Sequence, residues 1–210
     1  MILIAHRGLK DNFIKENTIE AFKNAVDNNY DGIELDIRMT KDNKIAVLHD
    51  KLINRTSNGT GNINNLTYKY LKKYNFGTKK IPSKLPLLEE IISKFSNLII
   101  FIELKEKINR EILLEILNKN KTNTYYLMSF NKKYIEEFKN SGYKIGIINN
   151  VFNANNDVDS YDFSVVLEDL FNLELYNLFL KKNKEIILYG VLKNISLKNK
   201  AILAKIKYIV

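Results

Sequence analysis

The chain has 210 residues and is 45% hydrophobic, enough for one domain, or two small ones, with a buried core that needs no staples. The lack of cysteine excludes a disulfide framework and thiolate metal sites, so any metal must be held by oxygen ligands or by the two histidines. The formal charge of +9 raises nucleic acid or an anionic membrane as a partner. The basic residues are interleaved with acidic ones, as in Lys105-Glu106-Lys107, and form no uninterrupted stripe, so nucleic-acid binding is not expected.

The apolar run Met1–Ala5 is too short for the core of a signal peptide. No stretch approaches the roughly 18 apolar residues of a membrane span. A cytoplasmic protein without stable membrane insertion is expected. Along the chain, strand-length apolar runs alternate with segments of helical period, the pattern of a parallel α/β protein. The strand candidates are Ile2–Ala5, Gly32–Ile37, Leu98–Leu104, Tyr125–Ser129, Lys144–Ile148, Phe163–Leu167, Ile186–Val191 and Lys207–Val210. Between them, Thr18–Asn28 carries Ile19, Phe22, Ala25 and Val26 on one face, with Asn17 or Thr18 able to cap it. Leu87–Phe95, Arg110–Asn118, Lys132–Ser141 and Leu173–Lys182 read as further helices, and Gly142 stands where a helix would end. Eight such repeats predict a small TIM (β/α)8 barrel in a single domain, residues 1–210; a doubly wound open sheet has the same periodicity.

Two features depart from a plain barrel. The link from Gly32–Ile37 to the run Ile45–His49 is shorter than the dozen or so residues of a parallel crossover, so it must be a hairpin, turning at Asp42-Asn43. An antiparallel return would bring His49 down to the level of Asp36. Residues 51–85 then form a polar, turn-rich insertion with short apolar periods at Leu66, Leu71 and Phe76, read as a lid or substrate-facing subdomain. No eighth helix follows Lys207–Val210, which would leave a groove beside the first and last strands, a surface where a homodimer contact is expected.

Both histidines, His6 and His49, close strand-like runs and have charged neighbours, Arg7 and Asp50. Glu34 and Asp36 are two residues apart and share a strand face; Glu103 and Lys105 repeat the arrangement at the end of a run too apolar for the surface. Buried charges are costly unless paired or bound to a cation. Three converging carboxylates, Glu34, Asp36 and Glu103, suit one hard divalent cation, Mg²⁺ or Ca²⁺. Arg7 and Lys105 beside them suit a phosphate. With an imidazole to take a proton and another to give one, the set describes phosphodiester hydrolysis of a small-molecule substrate.

Ala5-His6-Arg7-Gly8, Glu16-Asn17-Thr18, Glu34-Leu35-Asp36, Val47-Leu48-His49-Asp50 and Glu103-Leu104-Lys105, in this order and spacing, resemble the glycerophosphodiester phosphodiesterase (GDPD) family. Arg55-Thr56-Ser57-Asn58-Gly59-Thr60-Gly61, Leu85-Pro86-Leu87-Leu88-Glu89-Glu90 and Ser129-Phe130 are similar to further parts of it. The resemblance implies a TIM barrel that hydrolyses a glycerophosphodiester to glycerol 3-phosphate and an alcohol with a bound divalent cation. It implies His6 and His49 as general acid and base, Glu34, Asp36 and Glu103 as metal ligands, Arg7 and Lys105 as phosphate contacts, and Glu16 as a supporting residue. The Gly59/Gly61 pair reads as a turn and not as a phosphate loop. Where the family has a strand reading Trp-Thr-Val-Asn, this chain has Tyr189-Gly190-Val191-Leu192, and the acidic tail of the final strand is missing. The part of the pocket that would hold the glycerol or head group is therefore altered. Other readings are a lipid-directed phosphodiesterase, of lysophospholipase D or phosphoinositide phospholipase C type, and a barrel that binds anions without turnover. The last predicts a missing ionic residue, and none is missing.

Overall fold

A computed structural model describes residues 2–149, 158–167, 171, 173–189 and 207–210. The chain runs through β1 (Ile2–His6), α1 (Ile19–Asp27), β2 (Gly32–Met39) and β3 (Ile45–Val47). The short α2 (Tyr68–Leu71) and then α3 (Leu88–Lys94) follow. After them come β4 (Ile99–Leu104), α4 (Arg110–Lys119), β5 (Thr124–Ser129), α5 (Lys132–Glu136), β6 (Lys144–Asn149), β7 (Phe163–Leu167), α6 (Leu173–Lys181), β8 (Glu185–Tyr189) and β9 (Tyr208–Ile209). All of these strands except β3 pair in parallel. Because β1 pairs with β2 on one side and β9 on the other, the sheet closes on itself. That closure makes it a TIM barrel and removes the open doubly wound sheet from consideration.

The strands are buried on both faces, which is why they read as unbroken apolar runs. Outward residues of β2 and β4 (Ile33, Leu35, Ile37, Ile100, Ile102, Leu104) pack in one core with Phe22 and Ala25 of α1, Ile91 and Ile92 of α3, and Leu113 and Leu117 of α4. Inward residues form a second core: Ile4, Phe101, Tyr126, Phe163, Ile187 and Tyr208 among them. Phe101 and Tyr126 stack at 4.6 Å between ring centroids, and with Phe163 and Tyr208 they plug the lower barrel. By the two-residue period of a strand, the inward positions above this plug are His6 on β1, Glu34, Asp36 and Arg38 on β2, Glu103 at the end of β4 and Tyr189 on β8. The polar layer is thus confined to the C-terminal rim. At the foot of β2, Gly32 permits the strands to close, since a Cβ there would lie 2.1 Å from the Ile99 carbonyl oxygen.

The second strand continues two residues past its expected end, and β3 returns antiparallel to it, Ile37 opposite Val47 and Met39 opposite Ile45. Asn43 takes the left-handed conformation of the hairpin turn at φ 57°, with Lys44 N–H bonded to the Thr40 hydroxyl. Residues 51–85 are less polar inside than their composition suggests. Ile53, Ile63, Leu71, Phe76 and Leu85 are buried with Ala46 and Leu48 in a small core of their own. One helix is shorter than expected. Lys132–Ser141 is helical only to Glu136, because the bonds that follow, Phe138 to Ile135 and Lys139 to Glu136, tighten to a three-residue reach. Asn140 and Gly142 then turn the chain at φ 62° and 86°. The expected strand end at Gly190-Val191, Leu192, and the link that would border the groove beside the first and last strands lie outside the described residues.

Candidate active site

The two edges of β2 explain how the site assembles. Along Gly32–Ile37, β4 occupies one edge. The other is shared: β1 ascends along it as far as His6 opposite Glu34, and β3 descends from Met39 to Ile37. The Leu48 N–H bonds to the Asp36 carbonyl at 2.9 Å, which sets His49 beside the Leu35–Asp36 peptide, as the hairpin predicts. The histidines therefore reach one edge from opposite directions, above the same carboxylates.

The ligand atoms of Glu34, Asp36 and Glu103 lie within 4.8 Å of one another, and all three residues are buried. Burial, and then the charges of Asp36 and Glu103, push the Glu34 carboxyl well above its ordinary range. Burial, and then Asp36, raise Glu103 to about 7. Asp36 Oδ1 is buried without a hydrogen-bond donor, the nearest cation being Lys105 Nζ at 3.6 Å. An orphaned carboxylate oxygen inside a mutually repelling oxygen cluster is what a hard divalent cation would satisfy, and the donor set fits one.

Around this cluster the charges are tied in pairs. Lys105 Nζ meets Glu103 Oε1 at 2.6 Å. Arg7 donates through its guanidinium to Glu16 Oε1 at 3.0 Å and lies 3.2 Å from Asp36 Oδ2, while its backbone N–H donates to Glu34 Oε2 at 3.0 Å. That main-chain bond depends on a left-handed turn after β1, with Arg7 at φ 56° and Gly8 at 76°. For Arg7 the conformation costs roughly 1 kcal/mol or more, a strain typical of functional turns. Gly8 is obligatory, since a Cβ would sit 2.7 Å from Ala21 backbone.

His6 Nε2 is 2.9 Å from the Tyr189 hydroxyl and 3.8 Å from Glu34 Oε2. Burial, reinforced by Arg7, lowers His6 to about 4, so its ring is neutral at pH 7 and able to accept a proton. Tyr189 is raised to about 12, first by burial and then by Glu34, so its hydroxyl stays protonated. His49 is held differently. Its Nδ1 lies 2.6 Å from Asp50 Oδ1, and bonds from Arg55 first, then from His49, keep Asp50 well below the usual carboxylate range. Arg55, from the insertion, also bonds Glu16 Oε1 at 2.6 Å. Burial alone would raise Glu16, but the Arg55 bond and the Arg7 charge outweigh it and bring it to about 2.

Every residue singled out from the sequence, His6, Arg7, Glu16, Glu34, Asp36, His49, Glu103 and Lys105, is therefore in this one network. Four partners were given no role there. Asn17, left-handed at φ 55°, holds Asp36 Oδ2 at 2.8 Å and leaves the capping of α1 to Thr18, whose side chain accepts from Ala21 N–H. Asp50 and Arg55 have a visible signal, standing beside His49 and inside a family-like motif. Tyr189 stands where the family has a pocket strand, but 183 residues separate it from His6, so spacing could not show their contact.

Comparison with known proteins gives an independent measure. The model of the glycerophosphoryl diester phosphodiesterase family matches residues 6–160. A glycerophosphodiester phosphodiesterase of Bacillus altitudinis is 42% identical over 115 residues, 51% of this chain and 46% of that protein. One from Caldanaerobacter subterraneus subsp. tengcongensis is 33% identical over 161 residues, 70% of this chain and 66% of its own length. The chain thus spans about half to two thirds of these relatives. The structure of an Oleispira antarctica phosphodiesterase, in complex with the product sn-glycerol-3-phosphate, superposes with a TM-score of 0.82 at 18% identity, over 100% of this chain and 92% of the other.

Proposed function

Since the chain belongs to the glycerophosphoryl diester phosphodiesterase family, we propose that it hydrolyses a glycerophosphodiester to glycerol 3-phosphate and an alcohol, using His6 and His49 for proton transfer. Glu34, Asp36 and Glu103 would hold one divalent cation, Mg²⁺ or Ca²⁺. The observation that carries this reading is the meeting of both histidines on one edge of β2, above three buried carboxylates. A cation held there supplies Lewis acidity toward a phosphoryl oxygen and orients the diester.

The chain's own groups divide the remaining work. Arg7 and Lys105 bring positive charge beside the cluster and turn to the phosphoryl oxygens when substrate competes with Glu16 and Glu103 for their N–H groups. His6, neutral because it is buried beside Arg7, takes the proton from the attacking oxygen as its bond to phosphorus forms. The Tyr189 hydroxyl accepts from Nε2 and orients that ring, leaving Nδ1 as the nitrogen that takes the proton. In its doubly protonated form, with Nδ1–H donated to Asp50, His49 gives the Nε2 proton to the alcohol oxygen as that oxygen's bond to phosphorus breaks and is left neutral with its proton on Nδ1. Glu16, shared between Arg7 and Arg55, holds the first loop and the insertion together as a supporting residue. The product complex of the Oleispira antarctica protein supports a small-molecule substrate on the same fold.

We extend the reading to a cytoplasmic enzyme with a homodimer contact beside the first and last barrel strands. Among the described residues, no helix is long and apolar enough to cross a membrane. Release of glycerol 3-phosphate, or of acyl-glycerol 3-phosphate from diesters that carry an acyl chain, by chelator-stripped protein resupplied with Mg²⁺, Ca²⁺ or Mn²⁺ tests the proposal. Cation-dependent release is expected. No release from any diester would remove the enzymatic reading, and release from acylated diesters alone would shift it to a lysophospholipase D.

A further inference from the structure

The metal, phosphate and proton-transfer residues leave one buried charge of the inner face of β2 unused. Arg38 follows Glu34 and Asp36 at the same two-residue spacing and is 9% exposed. Its Nε donates to the main-chain carbonyl of His49 at 2.8 Å. That carbonyl lies two residues beyond the last ladder pair, Ile37 with Val47, where β3 no longer has a partner strand at this edge. Arg38 thus takes over from the sheet at the residue whose placement matters most.

The guanidinium is itself held by Glu106, which a third segment braces in turn. Its other arm donates to Glu106 Oε2 at 2.9 Å, on the loop that carries Lys105. Glu106 Oε1 accepts the Met39 N–H at 2.8 Å and the side-chain amide of Asn64, from the insertion. Asn64 also donates to the Met39 carbonyl at 3.0 Å. Three pieces of chain, the end of β2, the loop after β4 and the insertion, converge on Glu106, which holds the guanidinium that ends on His49. Buried ion pairs are commonly no more stabilising than apolar groups of the same volume, so packing alone does not account for this one.

We propose that Arg38, braced by Glu106 and Asn64, is a positioning residue that sets the height and direction of the His49 ring through its main-chain carbonyl. The inference rests on the reading of His49 as a proton-transfer group. It gives the insertion a task besides covering substrate: Asn64 steadies the His49 main chain through Arg38, as Arg55 steadies its ring through Asp50.

With only two histidines in the chain, ring C–H signals are readily resolved by NMR and assigned with H49A. In the full-length R38M protein the His49 signals should shift or broaden while those of His6 stay. Turnover of a glycerophosphodiester should fall about 10- to 100-fold, the cost of a misplaced group of this kind, with KM within about twofold. Placed in H49A, the same substitution should cost less than about twofold, because the group it acts through is gone. R38K and E106Q should give the same pattern more weakly, and they carry the test if R38M does not fold. Unchanged His49 signals in a folded variant, or an equal rate loss with and without His49, would overturn the proposal. If the wild-type protein turns over no diester, the proposed function fails, while the NMR comparison still decides whether Arg38 sets the His49 ring.

Discussion

The two halves of the barrel rim are built from opposite materials. On β1, β2 and β4 the inward residues of the upper layer are His6, Glu34, Asp36, Arg38 and Glu103. On β5, β6 and β7 they are Met128, Ile148 and Val165, with Phe130 just beyond β5 and 42% exposed beside Lys105. The charged half is bonded to excess: Glu16, Asp36 and Glu106 each serve two or more partners. The apolar half makes no such demands. Chemistry at phosphorus needs charges fixed in place, and only a mutually braced set can keep them buried. Under the proposed reading, contact with an alcohol or alkyl group needs only a surface, which the apolar half offers.

The sharpest way to break this contrast is to remove the proposed proton carriers. His6→Ala and His49→Ala should each lower turnover by roughly 10²–10⁴ with melting little changed. A loss below tenfold in either would take that histidine out of the mechanism. Asp36→Asn should weaken divalent-cation binding by at least about tenfold, the lower end of what loss of even an outer partner costs. Calorimetry showing unchanged affinity would dismiss the ligand assignment.

The same cluster has a pH signature. Glu103 at about 7 binds its proton more tightly in the cation-free fold than at its ordinary 4.5 in the unfolded chain. The stability this contributes is complete below 4.5 and is lost as pH rises through about 7; Glu34 acts in the same sense. His6, lowered from 6.5 to about 4, acts oppositely and only below 6.5. Cation-free protein should therefore melt a few degrees lower near pH 8 than at pH 6.5, and saturating cation should remove the difference. Melts that do not depend on pH in that range would show that the carboxylates do not repel as their spacing implies. The smallest effect concerns the bond from Tyr189, at the end of β8, to His6 in the charged half. Tyr189→Phe removes one hydrogen bond to His6, worth about 0.5–1.5 kcal/mol, and should slow turnover about 2- to 12-fold. A larger loss would give the hydroxyl a part in proton transfer.

Much of this was legible in sequence because strand periodicity is local. The pairs Glu34/Asp36 and Glu103/Lys105 sit on one face by their spacing alone, and the short link after β2 leaves no choice except a hairpin. Where the signal was weaker, local physics still decided, as at α5, whose chain tightens after Ile135 and cannot continue to Ser141. The insertion read as polar because Ile53 and Ile63, buried in its small core, follow no regular period. Asn17 read as a cap because its bond to Asp36 spans 19 residues.

By itself, then, the sequence determined which side chains carry charge, which of them share a strand face, and where the apolar runs demand a closed, two-sided core. Those follow from covalent spacing and from the transfer of apolar surface out of water, which act residue by residue. Only the tertiary structure decided that β1 and β3 meet end to end on one edge of β2, that Tyr189 reaches His6, and that Arg38 holds His49. Such contacts are settled by barrel closure and strand register, which depend on every strand at once.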